Sequence, residues 1–205
     1  DPDYRKKKWR EWWEKEGKYK CAIIVPKEFN KPKFSKDLAE FVGIVLGDGG
    51  ITNRQITITL HRKDDRQYGN FVVKLIKKLF NVPVGIYCKE SDSAINFIIS
   101  RSALINFCEK ELGLKRGSKV KHQVDIPGWI KENRNYLISC VTGLMDTDGC
   151  IFMHKYIVSG KRYSYKKLSF TNHSKPLVKS VFKCFRILGM NPRITKNGWD
   201  VRLEN

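Results

Sequence analysis

The chain has 205 residues and 41% apolar content, enough for one large or two small domains with a real core. Forty Lys and Arg against twenty-one Asp and Glu give a formal charge of +19 and a pI near 9.7, an excess that calls for an acidic partner. No run approaches transmembrane length, and the basic residues are spread from Arg5 to Arg202 rather than gathered beside a lipid-seeking helix, so nucleic acid leads over a membrane surface as that partner.

Residues 1–20, with Arg5-Lys-Lys-Lys8 and the Trp9, Trp12, Trp13 stripe, read as a short basic amphipathic helix stopped near Gly17. Lys27 to Lys36, flanked by Pro26 and holding Pro32, reads as an extended linker. Ser35 is a natural N-cap for a helix whose Leu38, Phe41, Val42 and Val45 keep helical spacing up to Gly47. Beyond Gly49-Gly50 the period changes to two: Ile56, Ile58 and Leu60 point one way, and Gln55, Thr57, Thr59 and His61 the other. Asp64 or Asp65 then caps a helix with the stripe Tyr68, Phe71, Val72, Leu75, Ile76 and Leu79. Strands near Val82–Cys88 and Ala94–Ser100 and a helix from Ser102 to Leu112 complete the first half.

The second half repeats this order. Strands are expected at Cys150–Val158 and Tyr163–Thr171, a helix at Pro176–Leu188, and strands at Pro192–Lys196 and Trp199–Leu203. Leu79-Phe-Asn-Val-Pro83 matches Leu188-Gly-Met-Asn-Pro192, which makes the second half's first hairpin longer by about nine residues. The organisation is a basic extension and linker over 1–34, a first unit over 35–112, an inter-unit linker over 113–135, and a second unit over 136–205 whose closing helix is absent. The chain opens at Asp1 with no Met and no signal peptide, as a segment of a longer product would.

Six cysteines (Cys21, Cys88, Cys108, Cys140, Cys150, Cys184) lie far apart with no C-x-x-C pair, and read as buried free thiols in a reducing compartment. His61, His122, His154 and His173 lack metal-ligand spacing. The chemistry is carried by a different repeat: Phe41-Val-Gly-Ile-Val-Leu-Gly-Asp48-Gly49 returns as Val141-Thr-Gly-Leu-Met-Asp-Thr-Asp148-Gly149. Gly43 with Gly47, and Gly143 with Thr147, are small residues one turn apart that let two helix backbones approach closely. The acids that follow them then converge at helix C-termini, where the macrodipole and their mutual repulsion oppose both charges. A divalent cation between them resolves that opposition, and hard oxygen ligands suit Mg²⁺, whose ions activate water and stabilise a leaving oxygen in phosphodiester hydrolysis. A single Asp-Gly is ordinarily just a helix-ending turn. Two copies on matching apolar helices in so basic a chain point to a metal-dependent nuclease centre.

Leu46-Gly-Asp-Gly-Gly50 and Leu144-Met-Asp-Thr-Asp-Gly149 are similar to the LAGLIDADG motif, and residues 35–205 resemble the single-chain, two-motif branch of the LAGLIDADG homing endonucleases. The resemblance implies an α+β chain of two pseudo-symmetric αββαββα units, motif helices at the pseudo-twofold axis, and an antiparallel β-saddle on DNA. It implies a double-strand endonuclease, carried by a mobile intron, that cuts a long rare site across the minor groove to leave short 3′ overhangs. Asp48 and Asp148 would hold the metal, Mg²⁺ or Mn²⁺, with the carbonyls of Gly47 and Thr147 assisting; Ca²⁺ would support binding without cleavage. Leu46 departs from the motif's first acid, which Asp146 supplies in the second copy. The family's lysine near the scissile phosphate maps to Lys119, in Gly117-Ser-Lys119-Val-Lys121. The second unit ends before its counterpart, so either Lys196 stands in or that site is poorer and one strand is nicked.

On the saddle, Gln55, Thr57, Thr59 and His61, then Asn96 and Ser100, then Lys167, Ser169 and Thr171, then Asp200 and Arg202, share the DNA-facing parity. Arg54, Arg62, Arg101, Lys155, Lys161, Arg193 and Lys196 are placed at strand ends or hairpins as phosphate contacts, while Lys74, Lys77, Lys78 and Lys179 back the helices. Two units in one chain imply a monomer on an asymmetric duplex, located wherever that DNA is (cytoplasm, organelle or nucleoid) and not secreted. The rival readings are a catalytically silent DNA-binding regulator and an RNA-binding intron maturase on the same fold.

Overall fold

The computed structural model describes residues 2–20 and 27–203; Cys21 and Pro26 lie outside them. At the N-terminus, α1 (Pro2–Trp12) does not stop at Gly17. It runs on through a π-helical turn (Trp13–Gly17) into α2 (Lys18–Lys20). Gly17 is tolerated inside this helix because it lies under Trp12 and Trp13, where a methyl group would come within 2.6 Å of the Trp13 ring. Trp9 stacks on Trp13 at 5.7 Å and remains exposed. The segment before α3 has no regular structure from Lys27 to Ser35, but it is pinned by aromatic contacts: Phe29 lies against Phe80 and Phe107, and Phe34 stacks on Trp129.

The first half runs α3 (Lys36–Gly47), β1 (Gly49–Ile51), β2 (Ile56–His61), α4 (Arg66–Phe80), β3 (Gly85–Tyr87), β4 (Ala94–Ile99) and α5 (Ser102–Lys110). Ser35 caps α3 as its sequence predicts, its Oγ accepting from the Leu38 amide at 3.2 Å. Asp65 precedes α4 but does not cap it; its carboxylate instead accepts from the His61 amide at 2.8 Å and so closes the turn leaving β2. Between the halves lie two short helices, α6 (Lys119–His122) and α7 (Gly128–Lys131), where a linker is expected. The second half runs α8 (Arg134–Asp148), β5 (Gly149–Val158), β6 (Lys161–Thr171), α9 (Lys175–Ile187), β7 (Pro192–Ile194) and β8 (Asp200–Leu203).

Each half builds one four-stranded antiparallel sheet, ordered β1-β2-β4-β3 and β5-β6-β8-β7, the same order twice. One face of each sheet packs on helices. Ile56, Ile58, Leu60 and Ile99 are buried in the first, and Phe170 and Val201 in the second, beneath the apolar stripes of α4 and α9. Phe71 of the α4 stripe stays exposed, and a methyl group on Gly69 would come within 2.6 Å of the Phe97 ring, so α4 lies tight against its sheet. Cys108, Cys140 and Cys184 are buried thiols as expected, but Cys88 and Cys150 are exposed, Cys88 just after β3 and Cys150 on the open face of β5 opposite Ser169. No helix among the described residues is long and apolar enough to cross a membrane.

Helices α3 and α8 form the axis between the halves. Nine of the twelve residues of α3 are buried. A methyl group at Gly143 would stand 2.5 Å from the Glu40 carbonyl oxygen; one at Gly43 would collide with the Cys140 carbonyl, and one at Gly47 with the Thr147 hydroxyl. The backbones therefore touch, which only residues without a side chain permit.

Candidate metal and DNA-cleavage centre

Because α3 and α8 cross through their glycines, their C-terminal ends are brought together. Asp48 is the C-cap of α3 and Asp148 the last residue of α8. Both are half-buried, and their carboxyls are shifted the same way for the same reason. Burial, with the nearby charge of Asp148, pushes Asp48 up to about 6, against the lowering pull of Lys119. Burial also raises Asp148, opposed by a hydrogen bond from Asn172 and by Lys119.

The lysine reaches this place through three local devices. The Gly117 amide donates to the Ile51 carbonyl at 2.9 Å, with Gly117 at φ +84, so the loop is stitched to β1. Ser118 caps α6, accepting from the Lys121 amide at 3.3 Å. Beyond α6, Gln123 and Asp125 bond to α9 and its approach: Gln123 accepts from the Lys175 amide at 3.1 Å, and Asp125 accepts from the Ser180 hydroxyl at 2.6 Å. Lys119 is thus held between the halves. Its ammonium donates to the Gly47 carbonyl and, at 3.5 Å, to that of Val45, and it feels both carboxylates; burial nevertheless lowers its pKa.

Two carboxylates that share one cation, at the meeting of two helix C-termini, are a donor set of hard oxygens, and it fits a divalent ion of the Mg²⁺ class. No group of three or more His, Cys, Asp or Glu among the described residues is arranged to hold a metal, so the two carboxylates would need further oxygen ligands to complete a coordination shell. The Gly47 carbonyl is engaged by Lys119 rather than open, and the Thr147 hydroxyl is turned back to the Gly143 and Leu144 carbonyls at 3.0 Å.

The sequence does not signal Asn172. It is the first residue after β6, and its amide donates to Asp148 Oδ2 at 2.7 Å, so one carboxylate is oriented by a side chain while Asp48 is set by burial and charge. Lys196, considered as the second lysine, lies in the turn between β7 and β8 and is not among the groups acting on Asp148; Lys119 serves both acids. Asp146 lies away from this centre, its charge bearing on Glu40 and on Tyr68, whose buried hydroxyl has no hydrogen-bond partner among the described residues.

On the open faces of the sheets, the cross-strand register brings together Thr57 with Ile98, Thr59 with Asn96 and His61 with Ala94. Several of these polar groups are already held by one another. Thr59 donates to Asn96 at 2.7 Å, Gln55 to Thr57 at 3.0 Å, and Thr171 to Asp200 at 2.7 Å. Ser100 and Arg101 follow β4, Arg54 lies in the β1–β2 turn, Arg62 follows β2, and Lys161 opens β6. Arg193 and Arg202 are directly opposed, and the charge of Arg202 also acts on Asp200. Lys167 and Ser169 share their face, as does Thr171. Lys155 is at neither a strand end nor the hairpin turn: it sits inside β5, three residues before its end at Val158, and its pairing with Ser164 puts it on the face opposite Lys167. Lys74, Lys77, Lys78 and Lys179 are exposed on helix backs, with Lys78 paired to Asp37.

No protein-family model matches the chain, and no curated protein sequence does. Solved structures do. I-DmoI in complex with DNA and Mn is 19% identical, with a TM-score of 0.53 over 82% of this chain and 89% of that one. The I-SmaMI LAGLIDADG homing endonuclease bound to cleaved DNA is 12% identical, with a TM-score of 0.53 over 85% of this chain and 78% of that one. Full-length DUF199/WhiA from Thermatoga maritima is 14% identical, with a TM-score of 0.53 over 86% of this chain; the chain spans 54% of that protein's length. The N-terminal LAGLIDADG domain of DUF199/WhiA matches likewise. At such identities the likeness establishes the fold: two antiparallel sheets joined by paired motif helices, the architecture of the LAGLIDADG proteins.

Proposed function

We propose that this chain is a site-specific double-strand DNA endonuclease that hydrolyses phosphodiester bonds with a divalent metal held by Asp48 and Asp148. The observation that carries the reading is the centre itself: two half-buried carboxylates, both raised in pKa, on helix ends that converge only because Gly43, Gly47 and Gly143 let the backbones touch. Lys119 offsets only part of the cost of holding these acids together, since both stay raised beside it, and a second, divalent cation would offset the rest. The ion, Mg²⁺ or Mn²⁺, supplies an activated water and charge stabilisation for the leaving oxygen. Asp48 and Asp148, at the ends of the two axial helices, would hold it, one acid serving each strand. Asn172 fixes the orientation of Asp148, and Lys119, shared between the two, offers positive charge to the phosphates as negative charge builds on them.

The open sheet faces carry the duplex. Thr57, Thr59, Asn96 and Gln55 present donors and acceptors already oriented by one another, while Arg54, Arg62, Arg101, Lys161, Arg193 and Lys196 take phosphates. Solved neighbours of this fold include I-DmoI with DNA and Mn and I-SmaMI bound to cleaved DNA, which supports the reading. The two sheets differ in length, so the target is asymmetric and a monomer suffices. Incubation with a randomised duplex pool in Mg²⁺, followed by sequencing of cut ends, tests this. One long site with short 3′ overhangs is expected, lost in Asp48→Asn with Asp148→Asn; an uncut pool with salt-sensitive DNA retention would leave a binding protein instead.

A further inference from the structure

The two sheets carry different surfaces toward their partner. In the first, β1 and β2 are three and six residues long and the open face carries Thr57, Thr59, His61 and Asn96 with Ala94, Ile98 and one exposed tyrosine, Tyr87. In the second, β5 and β6 are ten and eleven residues long, joined at Ser159-Gly160 with φ +50 and +78, a turn that continues the strand twist. The hairpin's outer half extends past the helices. The register pairs His154 with Tyr165, Tyr156 with Tyr163, and Phe152 with Lys167, so all of these lie on the face that continues inward to Ser169 and Thr171. That face is a ladder of rings. Tyr156 stacks on Tyr163 at 5.2 Å, His154 meets Tyr165 edge-on at 5.3 Å, and the Lys167 ammonium stands 5.2 Å from the Tyr165 centroid. Phe152, Tyr156 and Tyr163 are 41%, 39% and 44% exposed.

From Gly149 to Thr171 there are five cationic side chains and no Asp or Glu; Lys161 and Lys167 share the face of the rings, while Lys155, Arg162 and Lys166 lie on the opposite face of the same two strands. A protein partner would meet an apolar and positive surface with no acid to pair its own cations; a nucleic acid meets charge for its phosphates and rings for its bases. At a duplex groove a ring meets little more than a thymine methyl group, since base faces are hidden in the stack. To stack, rings need bases that are unstacked. We infer that the outer half of the β5–β6 hairpin binds unpaired nucleotides, stacking them on Tyr156, Tyr163 and the neighbouring rings, beside the duplex held by the rest of the saddle. This rests on the reading of the chain as a nucleic-acid protein and adds a single-stranded subsite to it.

The test measures binding of the full chain, without divalent metal, to fluorescent oligouridylate, oligothymidylate and a mixed-sequence duplex of equal length at physiological salt. Tyr156→Ala with Tyr163→Ala is compared with Tyr156→Phe with Tyr163→Phe. The rings are exposed, so both variants should keep the parent's circular dichroism and melting temperature. Expected is a loss of about 5- to 100-fold on the single strands for the alanine pair, with duplex affinity within about twofold of the parent and recovery by phenylalanine. Equal weakening on the uridylate and thymidylate probes assigns the site to bases in general, and a preference for one assigns it to RNA or to DNA; either supports the inference. Unchanged single-strand affinity in the alanine pair would overturn it while leaving the duplex reading intact. Absence of binding to all three probes by the parent would remove the nucleic-acid reading altogether. A ring-dependent dimer in sedimentation without nucleic acid would give the rings to a second copy and would also overturn it.

Discussion

Replacing Asp48 by Asn is expected to stabilise the metal-free protein while removing its proposed activity. A carboxyl pushed from 3.8 to about 6 disfavours the ionised fold by at most about 3 kcal/mol at neutral pH. Asp48 is only half-buried, and screening by solvent brings this to about 1–2 kcal/mol. The sign follows from which state holds the proton more tightly. Because the folded pKa is the higher one, folding loses nothing below about pH 4, where the carboxyl is protonated in both states; the loss grows through the interval to about 6 and is complete above it. The amide variant has no such loss. In EDTA at pH 7.5 it should therefore melt higher than the parent by roughly 2–8 °C, and at pH 4 the two should coincide. Adding Mg²⁺ should raise the parent more than the variant, since only the parent keeps both ligands. Thermal unfolding followed by circular dichroism at the two pH values reads all of this. A variant no more stable than the parent at pH 7.5, or one that gains as much at pH 4, would show that Asp48 is not held against burial and its neighbour's charge.

The axis gives a second expectation: Gly143→Ala must part α3 from α8 and should lower unfolding free energy in urea by about 1–3 kcal/mol or more. Lys119→Ala should slow cutting of both strands by about 10²-fold or more, because one ammonium serves both acids, and Lys196→Ala should weaken DNA binding but leave the cutting rate at saturating protein unchanged; a supercoiled plasmid bearing the selected site shows the Lys119 effect as loss of nicked and linear forms together. Asn172→Ala touches Asp148 alone, so nicked circles should accumulate before linear product appears. Cleavage at limiting Mg²⁺ should fall about tenfold per pH unit below about 6, where protons compete for Asp48, and a pH profile flat to 5 would contradict that assignment.

Much of this was legible from the chain because the strong signals were periodic and came in pairs. Ser35, the α3 stripe and the parity of Ile56, Ile58 and Leu60 are local patterns, and the local physics that makes them is retained in the fold. The repeated Asp-Gly located the axis, since small residues one turn apart say how closely a helix can be approached before its partner is known. What escaped is long-range. Asn172 stands far from Asp148 in kind as well as in role, and nothing in a lone Asn after a strand tells which carboxylate it meets. The reach of Lys119 across to both acids depends on a loop bonded to β1 on one side and α9 on the other. Lys155 lies inside a strand whose end the sequence does place at Val158, and the alternation of the pleat turns it to the face opposite Lys167. The helix before α3 ran past Gly17 because two tryptophans cover that glycine, a compensation no propensity records.

The contact of α3 with α8 through bare backbone has a consequence for how such a chain can change over generations. A separation set by glycine against main chain cannot drift as side chains are exchanged elsewhere, so the ends of the two helices stay in step whatever happens to the sheets. One sheet has accordingly become nearly twice as long in its first hairpin as the other without disturbing the meeting of Asp48 and Asp148. Substitutions can reshape the recognition surface of either wing independently, while a side chain added at Gly43 or Gly143 would meet main chain of the partner helix.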